Sequence, residues 1–193
     1  ALGLGAAGMA RHPHGGVVPE VSAAESTVMP PVLDLKLERR YARKGFRCVA
    51  GLDEVGRGPL AGPVVAAAVV LDPKRMPDGL AASKALTAAR RDQLFSVSAV
   101  EIDRINIRQA SLLAMCRALA ALPCEPDFAL VDGNDPPALP CEVETVVKGD
   151  ASIASVAAAS IVAKVIRDRL MARQAILFPE FGFAENAGYG TPA

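Results

Sequence analysis

The sequence predicts an α/β fold in which helices flank a central mixed sheet. Two short apolar runs, residues 48–55 and 62–72, are joined by a turn rich in Gly and Pro, which is typical of a strand pair. After this pair, strand-like and helix-like patterns alternate, as in layered α/β proteins. The 193 residues are 51% hydrophobic, which is enough apolar material for one well-buried domain and argues against a second.

The sequence of the first part of the chain predicts a disordered extension and a short helix before the strand pair, and a helix and a strand after it. Residues 1–34 are rich in Gly, Pro, Ala and Ser, so we expect a disordered N-terminal extension before a domain over residues 35–193. Residues 33–46 combine spaced leucines with dense charge and predict a short helix. The spacing of residues 86–98 favours an amphipathic helix, and residues 99–105 favour a strand.

The second half of the chain predicts two further strands and two longer helices. Residues 107–122 carry apolar side chains at helical spacing, and Pro123 ends that helix. Residues 127–134 and 142–150 each begin as an apolar strand and end in a glycine turn with an acid. Residues 151–176 form a long Ala-rich stretch with high helix propensity.

Overall charge and composition argue against several classes of protein. Lys and Arg together number 21, as do Asp and Glu, so any nucleic-acid binding must rest on a local basic patch. No apolar stretch approaches the roughly 20 residues of a membrane helix. The four cysteines match no zinc or redox spacing and suit reduced thiols, which predicts a cytoplasmic location. Nothing in the pattern demands more than a monomer.

Acidic residues follow three of the predicted strands, namely Asp53 with Glu54, Asp132, and Asp150. Side chains at strand ends are where sites in α/β sheets are commonly built. Close carboxylates repel each other unless a cation neutralises them, and such hard oxygen ligands favour magnesium or manganese. The alternative is that each acid only completes a turn, which is the better interpretation of Asp132 taken alone.

Asp53 and Glu54 are harder to explain as turn residues, because a turn needs only one acid. Adjacent strand residues point to opposite faces, so we expect the backbone to leave strand geometry near Glu54, which Gly56 and Gly58 permit. The glycine spacing matches neither the dinucleotide fingerprint nor the phosphate loop. It leaves backbone amides that can approach a ligand, beside the cation Arg57.

The acid cluster suits either a glycosidase with two carboxylates or metal-assisted phosphoryl chemistry. Sugar-binding sites favour aromatic platforms, whereas this chain has 4% aromatic residues and no Trp. Both histidines lie in the N-terminal extension, which argues against a histidine-dependent triad, and no cysteine has an obvious activated setting. Phosphate is the favoured substrate group because several cations are expected around the acids: Arg57, Lys84, Lys148, Lys164, Arg167 and Arg169.

Four blocks of the sequence, taken in order, resemble the bacterial ribonuclease HII family: GLDEVGRGPLAGPVVAAAVVL, LVDGN, KGDASIASVAAASIVAKVIRDRLM and GYGT. The resemblance implies a ribonuclease-H-like fold and metal-dependent endonucleolytic cleavage of RNA in RNA/DNA hybrids. It also implies incision on the 5′ side of a ribonucleotide embedded in duplex DNA, which leaves 5′-phosphate ends. RNA primer removal and ribonucleotide repair are the roles that follow.

The resemblance assigns roles to individual residues. The family's four catalytic acids match Asp53, Glu54, Asp132 and Asp150, of which the first three are the stronger ligands for Mn²⁺ or Mg²⁺. The tripeptide whose backbone reads the ribose 2′-hydroxyl matches Gly56, Arg57 and Gly58. The tyrosine that stacks on the sugar at the RNA–DNA junction matches Tyr189, for which a packed loop aromatic is the alternative.

Four more residues are candidate substrate contacts. Lys84 lies where the family has an Asp-Ser-Lys segment that contacts phosphate, although Ala82 replaces the aspartate here. Asn106 is either a substrate contact or a helix cap. Ser160 and Lys164 lie four residues apart on one helical face, where they present polar groups together or form only a solvated stripe.

The expected chemistry uses two divalent ions held by the acids, one activating water and the other stabilising the leaving 3′-oxygen, so no histidine base is needed. Members of the family continue beyond the GYGTPA at which this sequence stops, and we expect the metal site to be intact. Two hypotheses stay open for turnover. One is an active nuclease, and the other is a nucleic-acid-binding form with impaired catalysis. Another metal-dependent phosphodiesterase is a third.

Overall fold

The computed structural model describes residue 33, residues 35–72 and residues 89–190, with residues 89–95 described as backbone only. Lys84 and the predicted N-terminal extension apart from Leu33 therefore lie outside the described residues. Leu33 is buried in the core, so the prediction of disorder is wrong for this residue. Across the described ranges, none of the helices has the length and apolar character required to cross a membrane.

Five strands and five helices make up the described part of the chain. The strands are β1 (Val49–Val55), β2 (Val64–Leu71), β3 (Ala89–Val97), β4 (Phe128–Asp132) and β5 (Glu142–Val146). The helices are α1 (Lys36–Arg43), α2 (Ala99–Ile105), α3 (Ile107–Ala120), α4 (Ala154–Leu177) and α5 (Phe183–Asn186). The 3₁₀ turns Gly149–Ala151 and Pro179–Phe181 lie before and after α4.

The five strands form one mixed sheet in the order β3-β2-β1-β4-β5. β1 pairs antiparallel with β2, and β2 pairs antiparallel with β3, which confirms the predicted strand pair. β1 pairs in parallel with β4, and β4 in parallel with β5. Because parallel strands run in the same direction, the carboxyl ends of β1, β4 and β5 meet at one edge of the sheet.

Helices cover both faces of the sheet. Alternate residues of β2 point to opposite faces, so Val65 and Val69 pack against the Ala-rich helix α4, whereas Val64 and Ala68 pack against α3. A strand that is buried on both faces is apolar throughout, which explains the continuous run that the sequence shows here. The core therefore consists of two layers, one on each side of β1 and β2.

Helix α4 approaches β1 closely at Gly51. A Cβ atom on this glycine would collide with the backbone of Ser155 and Val156, so no larger residue fits without displacing the helix. The first turn of α4 is also held by α1, because the buried carboxylate of Glu38 accepts hydrogen bonds from the N–H and the hydroxyl of Ser155. These contacts fix α4 against the strand that carries Asp53.

Two predictions for the region between β2 and α3 are wrong. The helix expected over residues 86–98 is instead strand β3 over residues 89–97, with residues 86–88 outside the described part. Pairing with β2 along the length of the strand overrides the local helical spacing. The strand expected over residues 99–105 is helix α2, which begins at a capping box between Ser98 and Glu101.

The remaining predicted elements are confirmed with small shifts of their ends. α1 lies within the predicted residues 33–46, and α3 ends two residues before the predicted residue 122. β4 and β5 lie within the two predicted strand-and-turn segments. α4 begins at Ala154 rather than residue 151, because the chain first makes the 3₁₀ turn Gly149–Ala151.

Candidate active site

The parallel strands β1 and β4 place Asp53 and Asp132 at the same edge of the sheet. Their register pairs Leu52 with Val131, so the next residue along each strand is one of the two aspartates. Asp53 is 7% exposed, and Asp132 is the last residue of β4. Two carboxylates from distant parts of the chain are thereby neighbours at the strand ends.

Each of these carboxylates is oriented by hydrogen bonds. Oδ1 of Asp53 accepts from the N–H of Glu54 at 2.7 Å, and the Ser160 hydroxyl of α4 donates to the same side chain. Oδ1 of Asp132 accepts from the N–H of Gly149 at 2.7 Å. One oxygen of each aspartate thus has a fixed backbone partner.

Asp53 lies in an environment that disfavours its negative charge. Its pKa is raised from 3.8 to about 7. Burial is the largest cause, the charges of Glu54 and Asp132 raise the pKa further, and the hydrogen bond from Ser160 lowers it. Ionised Asp53 is therefore costly unless a cation neutralises it.

Glu54 belongs to the same cluster although it directly follows Asp53. Burial raises the pKa of Glu54, a hydrogen bond from Arg57 with an Nη1–Oε1 distance of 3.3 Å lowers it, and the charge of Asp132 raises it. β1 ends at Val55, one residue beyond Glu54, and Gly56 has a φ of +111°, so the backbone leaves strand geometry near Glu54 as expected. At this strand end, the charge of Asp132 acts on the long glutamate side chain.

Asp150 occupies a different position from the other three acids. It lies in the 3₁₀ turn that follows β5, and its side chain is exposed. Its charge is not among the causes that shift the pKa of Asp53 or Glu54. The preceding residue, Gly149, donates to Asp132, so the turn borders the cluster. We therefore use the term carboxylate cluster for Asp53, Glu54 and Asp132.

The donor set of the carboxylate cluster fits a hard divalent cation. It supplies oxygen ligands, and Asp132 raises the pKa of both Asp53 and Glu54, which is the repulsion that a cation relieves. Among the described residues, no group of three or more His, Cys, Asp or Glu side chains is already spaced to hold an ion.

The glycine loop, defined as residues 56–62, follows β1 and contacts the segment that carries Tyr189. Gly56 has a φ of +111°, and a Cβ atom there would lie 2.5 Å from the carbonyl oxygen of Pro63. A Cβ atom on Gly58 would lie 3.5 Å from the Tyr189 ring. Two N–H groups of the loop donate to the carbonyl of Gly188 at 2.9 and 3.2 Å. The loop and the tyrosine segment therefore form one surface.

Tyr189 and Asn106 each have two interpretations, a substrate contact or a structural role, and the structure bears differently on the two residues. The Tyr189 side chain is 52% exposed beside the glycine loop, which argues against a purely packing role. Asn106 caps α3, because its Oδ1 accepts from the N–H of Gln109 at 3.1 Å. Its φ of +67° and ψ of 163° form a backbone conformation that residues other than glycine rarely adopt. The helix-cap role of Asn106 is thus present in the structure.

Ser160 and Lys164 do not act as a pair in this structure. Ser160 contacts Asp53, whereas Lys164 forms an ion pair with Asp168 at 3.0 Å. The Lys164 side chain is 67% exposed, so it remains accessible to a ligand. Lys84, the other candidate lysine, lies outside the described residues.

The sequence gives a misleading indication for Arg167, which counts there among the cations available to a phosphate. In the structure this side chain is 1% exposed, and its guanidinium donates to three backbone carbonyl oxygens. No pattern in the sequence distinguishes it, because charged residues are almost always exposed and its neighbours Asp168 and Arg169 are exposed as expected.

Solved structures define the class of protein to which this fold belongs. The chain is similar to the ribonuclease H2 of Pyrococcus horikoshii OT3, with a TM-score of 0.59 and 26% identity, over 75% of this chain and 82% of that chain. It shares the fold of Bst-RNase HIII, solved in complex with Mn²⁺, with a TM-score of 0.53, 21% identity and coverage of 68% and 55%. The mixed sheet with its flanking helices is a ribonuclease-H-like fold, as the sequence predicts.

Sequence relatives identify the family within that class. The family model for ribonuclease HII matches residues 50–97 and 96–193. A ribonuclease HII from Xanthobacter autotrophicus is 57% identical over 171 residues, which cover 82% of this chain and 69% of the relative. The chain belongs to the ribonuclease HII family, which consists of endonucleases of the ribonuclease H type.

Proposed function

We propose that this chain is a metal-dependent endoribonuclease that cleaves RNA in RNA/DNA hybrids and cuts on the 5′ side of ribonucleotides embedded in duplex DNA. The observation that carries the proposal is the carboxylate cluster at the end of β1, which leads directly into the glycine loop. At the first position of that loop, Gly56, there is no room for a side chain. Membership of the ribonuclease HII family supports it. The activity is proposed for a chain that spans 69% of its Xanthobacter relative.

The acids of the carboxylate cluster would hold Mn²⁺ or Mg²⁺, with Asp150 at the rim as the fourth catalytic acid. The chemistry that such ions supply when bound is the activation of a water and the stabilisation of charge on the leaving 3′-oxygen. Asp53, whose pKa is about 7, would have to be ionised to hold a cation, and the positive charge of a bound cation would favour that ionised form. Ser160 favours the ionised carboxylate by donating to it.

Recognition of RNA is assigned to the glycine loop and to Tyr189. A ribonucleotide differs from a deoxyribonucleotide by its 2′-hydroxyl, which both donates and accepts hydrogen bonds. Gly58 is exposed and leaves the loop backbone accessible for that contact, whereas Gly56 is buried at the start of the loop. The exposed Tyr189 ring provides a surface on which the next sugar can stack. A Cβ atom on Gly58 would lie 3.5 Å from the ring, so the two recognition groups are neighbours.

Phosphate contacts are assigned to exposed cations that border the cluster. The Arg57 side chain is 48% exposed and already lies 3.3 Å from Glu54. Lys164 is 67% exposed one helical turn beyond Ser160. We propose the same role for Lys84, and a substrate contact for Asn106 besides its capping role. Because these contacts are ionic, binding should weaken as the salt concentration rises.

A form that binds nucleic acid without turnover is the second candidate. It is favoured by one observation, namely that the acids of the described residues are not yet spaced to hold an ion. In that case the loop and Tyr189 would recognise ribonucleotides without cleaving them. For the active enzyme, we propose RNA primer removal and ribonucleotide repair in the cytoplasm, carried out by a monomer.

The proposed function is tested with three end-labelled substrates of one sequence: a duplex with a single ribonucleotide, an all-DNA duplex and an RNA/DNA hybrid. Each is incubated with the protein in Mn²⁺, in Mg²⁺ and in EDTA. We expect cleavage of the first and third substrates in a divalent cation only, with the cut on the 5′ side of the ribonucleotide. Binding without cleavage in both metals would establish the second candidate. Equal cleavage of the all-DNA duplex would indicate a general phosphodiesterase.

A further inference from the structure

Arg167 of α4 is a buried charge that binds backbone carbonyls from two separate loops. Its Nε donates to the carbonyl of Pro63 at 3.1 Å, its Nη2 to that of Ala61 at 3.0 Å, and its Nη1 to that of Ala187 at 2.8 Å. Among the ion pairs of the described ranges, none includes this arginine. A side chain that is 1% exposed and satisfied by carbonyls has a positioning role in the backbone around it.

The two loops that Arg167 joins are those of the proposed recognition surface. Ala61 lies near the end of the glycine loop, Pro63 directly follows the loop, and Ala187 lies two residues before Tyr189. A Cβ atom on Gly56 would lie 2.8 Å from the Arg167 Nε, so the guanidinium packs directly behind the first glycine of the loop.

We propose that Arg167 is a positioning residue for ribonucleotide discrimination. By bonding both loops at once, it holds the glycine loop and the Tyr189 segment at the spacing that reading a 2′-hydroxyl and stacking on the next sugar require. The inference rests on the proposed function. It concerns selectivity, since none of the three acceptors is a carboxylate of the cluster.

The planar fork of arginine is required for this role. Three N–H groups that point in different directions reach three carbonyls, whereas a lysine presents one compact ammonium on a flexible stem. In an Arg167→Lys variant, at least one buried carbonyl loses its donor, which costs stability locally and loosens the junction of the loops. The positive charge is kept, so any effect does not arise from long-range electrostatics.

The test compares the wild type, Arg167→Lys and Arg173→Lys, an exposed arginine of the same helix. Affinity is measured in EDTA, to prevent cleavage, for the single-ribonucleotide duplex and its all-DNA counterpart. Hydrogen exchange is measured at the amides of Leu60 and Ala61, which donate to Gly188. For Arg167→Lys we expect the affinity for the single-ribonucleotide duplex, divided by that for the all-DNA duplex, to fall toward one. We expect the Leu60 and Ala61 amides to exchange at least about tenfold faster, and the exchange of the β1 and β4 amides to stay unchanged. Arg173→Lys should match the wild type.

The outcomes separate this inference from the function on which it rests. A wild type that binds both duplexes equally contradicts the proposed function and the inference with it. A wild type that discriminates, together with an Arg167→Lys variant that discriminates equally well, contradicts the inference alone. If hydrogen exchange in Arg167→Lys is faster by the same factor across the whole sheet, the role of Arg167 is merely structural, and this result also overturns the inference. If the variant does not fold, the wild type alone provides the test. Because Arg167 is proposed to hold the two loops together, the Leu60, Ala61 and Tyr189 amides should be equally protected from hydrogen exchange, and unequal protection contradicts the proposal.

A second, independent observation concerns two thiols at the opposite edge of the sheet. Cys48 directly precedes β1, Cys124 lies in the turn before β4, and their Sγ atoms are 3.4 Å apart. The backbone is fixed nearby, because the Cys48 N–H donates to Asp127 Oδ1 at 2.9 Å and its carbonyl accepts from the Asp127 N–H at 3.0 Å. Both thiols are partly exposed.

We infer that Cys48 and Cys124 form an intramolecular disulfide when a peroxide is present. One thiolate attacks a peroxide oxygen, which gives a sulfenic acid and releases water after proton uptake. The second thiolate then attacks the sulfenic sulfur, forms the S–S bond and expels the hydroxyl as a second water. Two thiols are oxidised and one peroxide is reduced. The sulfur atoms must approach to about 2.05 Å, a change of little more than an ångström.

The disulfide is tested by mass spectrometry of the folded protein before and after hydrogen peroxide. We expect a loss of about 2 Da, a cross-linked peptide pair that contains Cys48 and Cys124, and reversal by a thiol reductant. Cys116→Ser is the matched control and should show the same loss, whereas Cys124→Ser should not. Gains of oxygen on separate cysteines, or a bond from Cys48 to Cys141, would overturn the inference.

Discussion

Glu38 and Ser155 are joined by two hydrogen bonds across 117 residues of sequence. The carboxylate of Glu38 accepts from the Ser155 N–H at 2.9 Å and from its hydroxyl at 2.7 Å, and both side chains are buried. Ser155 lies in the first turn of α4, where the helix dipole favours a negative charge. The first helix of the domain thus holds the start of the helix that carries Ser160 and Arg167.

Glu38→Ala should destabilise the fold, because it leaves a buried N–H and a hydroxyl of Ser155 without this acceptor. Hydrogen bonds to a charged group suggest a loss of about 3 kcal/mol in the free energy of unfolding. Urea denaturation measures it, with Glu180→Ala, an exposed acid beyond α4, as the control. A loss below about 0.5 kcal/mol would contradict the structural role of this contact.

Gly51→Ala should also destabilise the protein, because its methyl group would collide with the backbone at the start of α4. Overpacking against backbone cannot be relieved by a rotamer change, so we expect a loss of at least about 1–3 kcal/mol. Gly58→Ala is the stability control, since its Cβ would meet only ordinary contact at 3.5 Å. Equal unfolding midpoints for the two variants would contradict the close packing of α4 on β1.

The pKa of Asp53 predicts how stability depends on pH in the absence of metal. Because folding raises this pKa from 3.8 to about 7, the folded state holds the proton more tightly, and stability is lost as the pH rises between these values. Asp53→Asn does not ionise, so in EDTA it should become more stable than the wild type across this range. The gain should level off above about pH 7, with an upper limit on the order of 4 kcal/mol.

This pH dependence is measured by urea denaturation of both proteins between about pH 4 and pH 8 in EDTA. A difference that stays constant over the range would show that Asp53 is not the group whose charge is disfavoured. Excess divalent cation should reduce the difference, because it neutralises the ionised cluster of the wild type.

Glu101 in the capping box of α2 should make a contribution to stability that is lost as the pH falls, which is the opposite of the pH dependence expected for Asp53. The pKa of Glu101 is lowered from 4.5 to about 2, first by the Arg117 hydrogen bond at 2.8 Å and then by Ser98. The stability from ionised Glu101 is therefore present above its ordinary pKa and lost as the pH falls toward about 2. Glu101→Gln should be less stable than the wild type near neutrality, and this difference should vanish in acid. A difference that persists at low pH would contradict the assignment.

The strand ends with their acids could be predicted from the sequence because the signal is local. Apolar runs that stop at Asp53 and Asp132 indicate the carboxyl ends of strands, and the parallel register then makes them neighbours. The place of Asp150 in a separate 3₁₀ turn, away from a strand end, could not be read in the same way.

Other features depend on contacts between distant parts of the chain. β3 contains the charged stretch ARRD, which favours a helix locally, and it is a strand because β2 offers a partner along its length. The burial of Arg167 depends on carbonyls about 20 and more than 100 residues away, and that of Glu38 on a helix 117 residues away. Spacing within the sequence carries no signal for either of them.

The most direct test of the central claim is cleavage of the single-ribonucleotide duplex in Mn²⁺ by Asp132→Asn. Glu125→Gln is the matched control, since this exposed acid precedes β4 at the opposite edge of the sheet. We predict that Asp132→Asn cleaves at least about 100-fold more slowly than the wild type, with duplex affinity and circular dichroism unchanged, and that Glu125→Gln cleaves normally. Wild-type cleavage by the Asp132→Asn variant would contradict the claim that the carboxylate cluster is the active site.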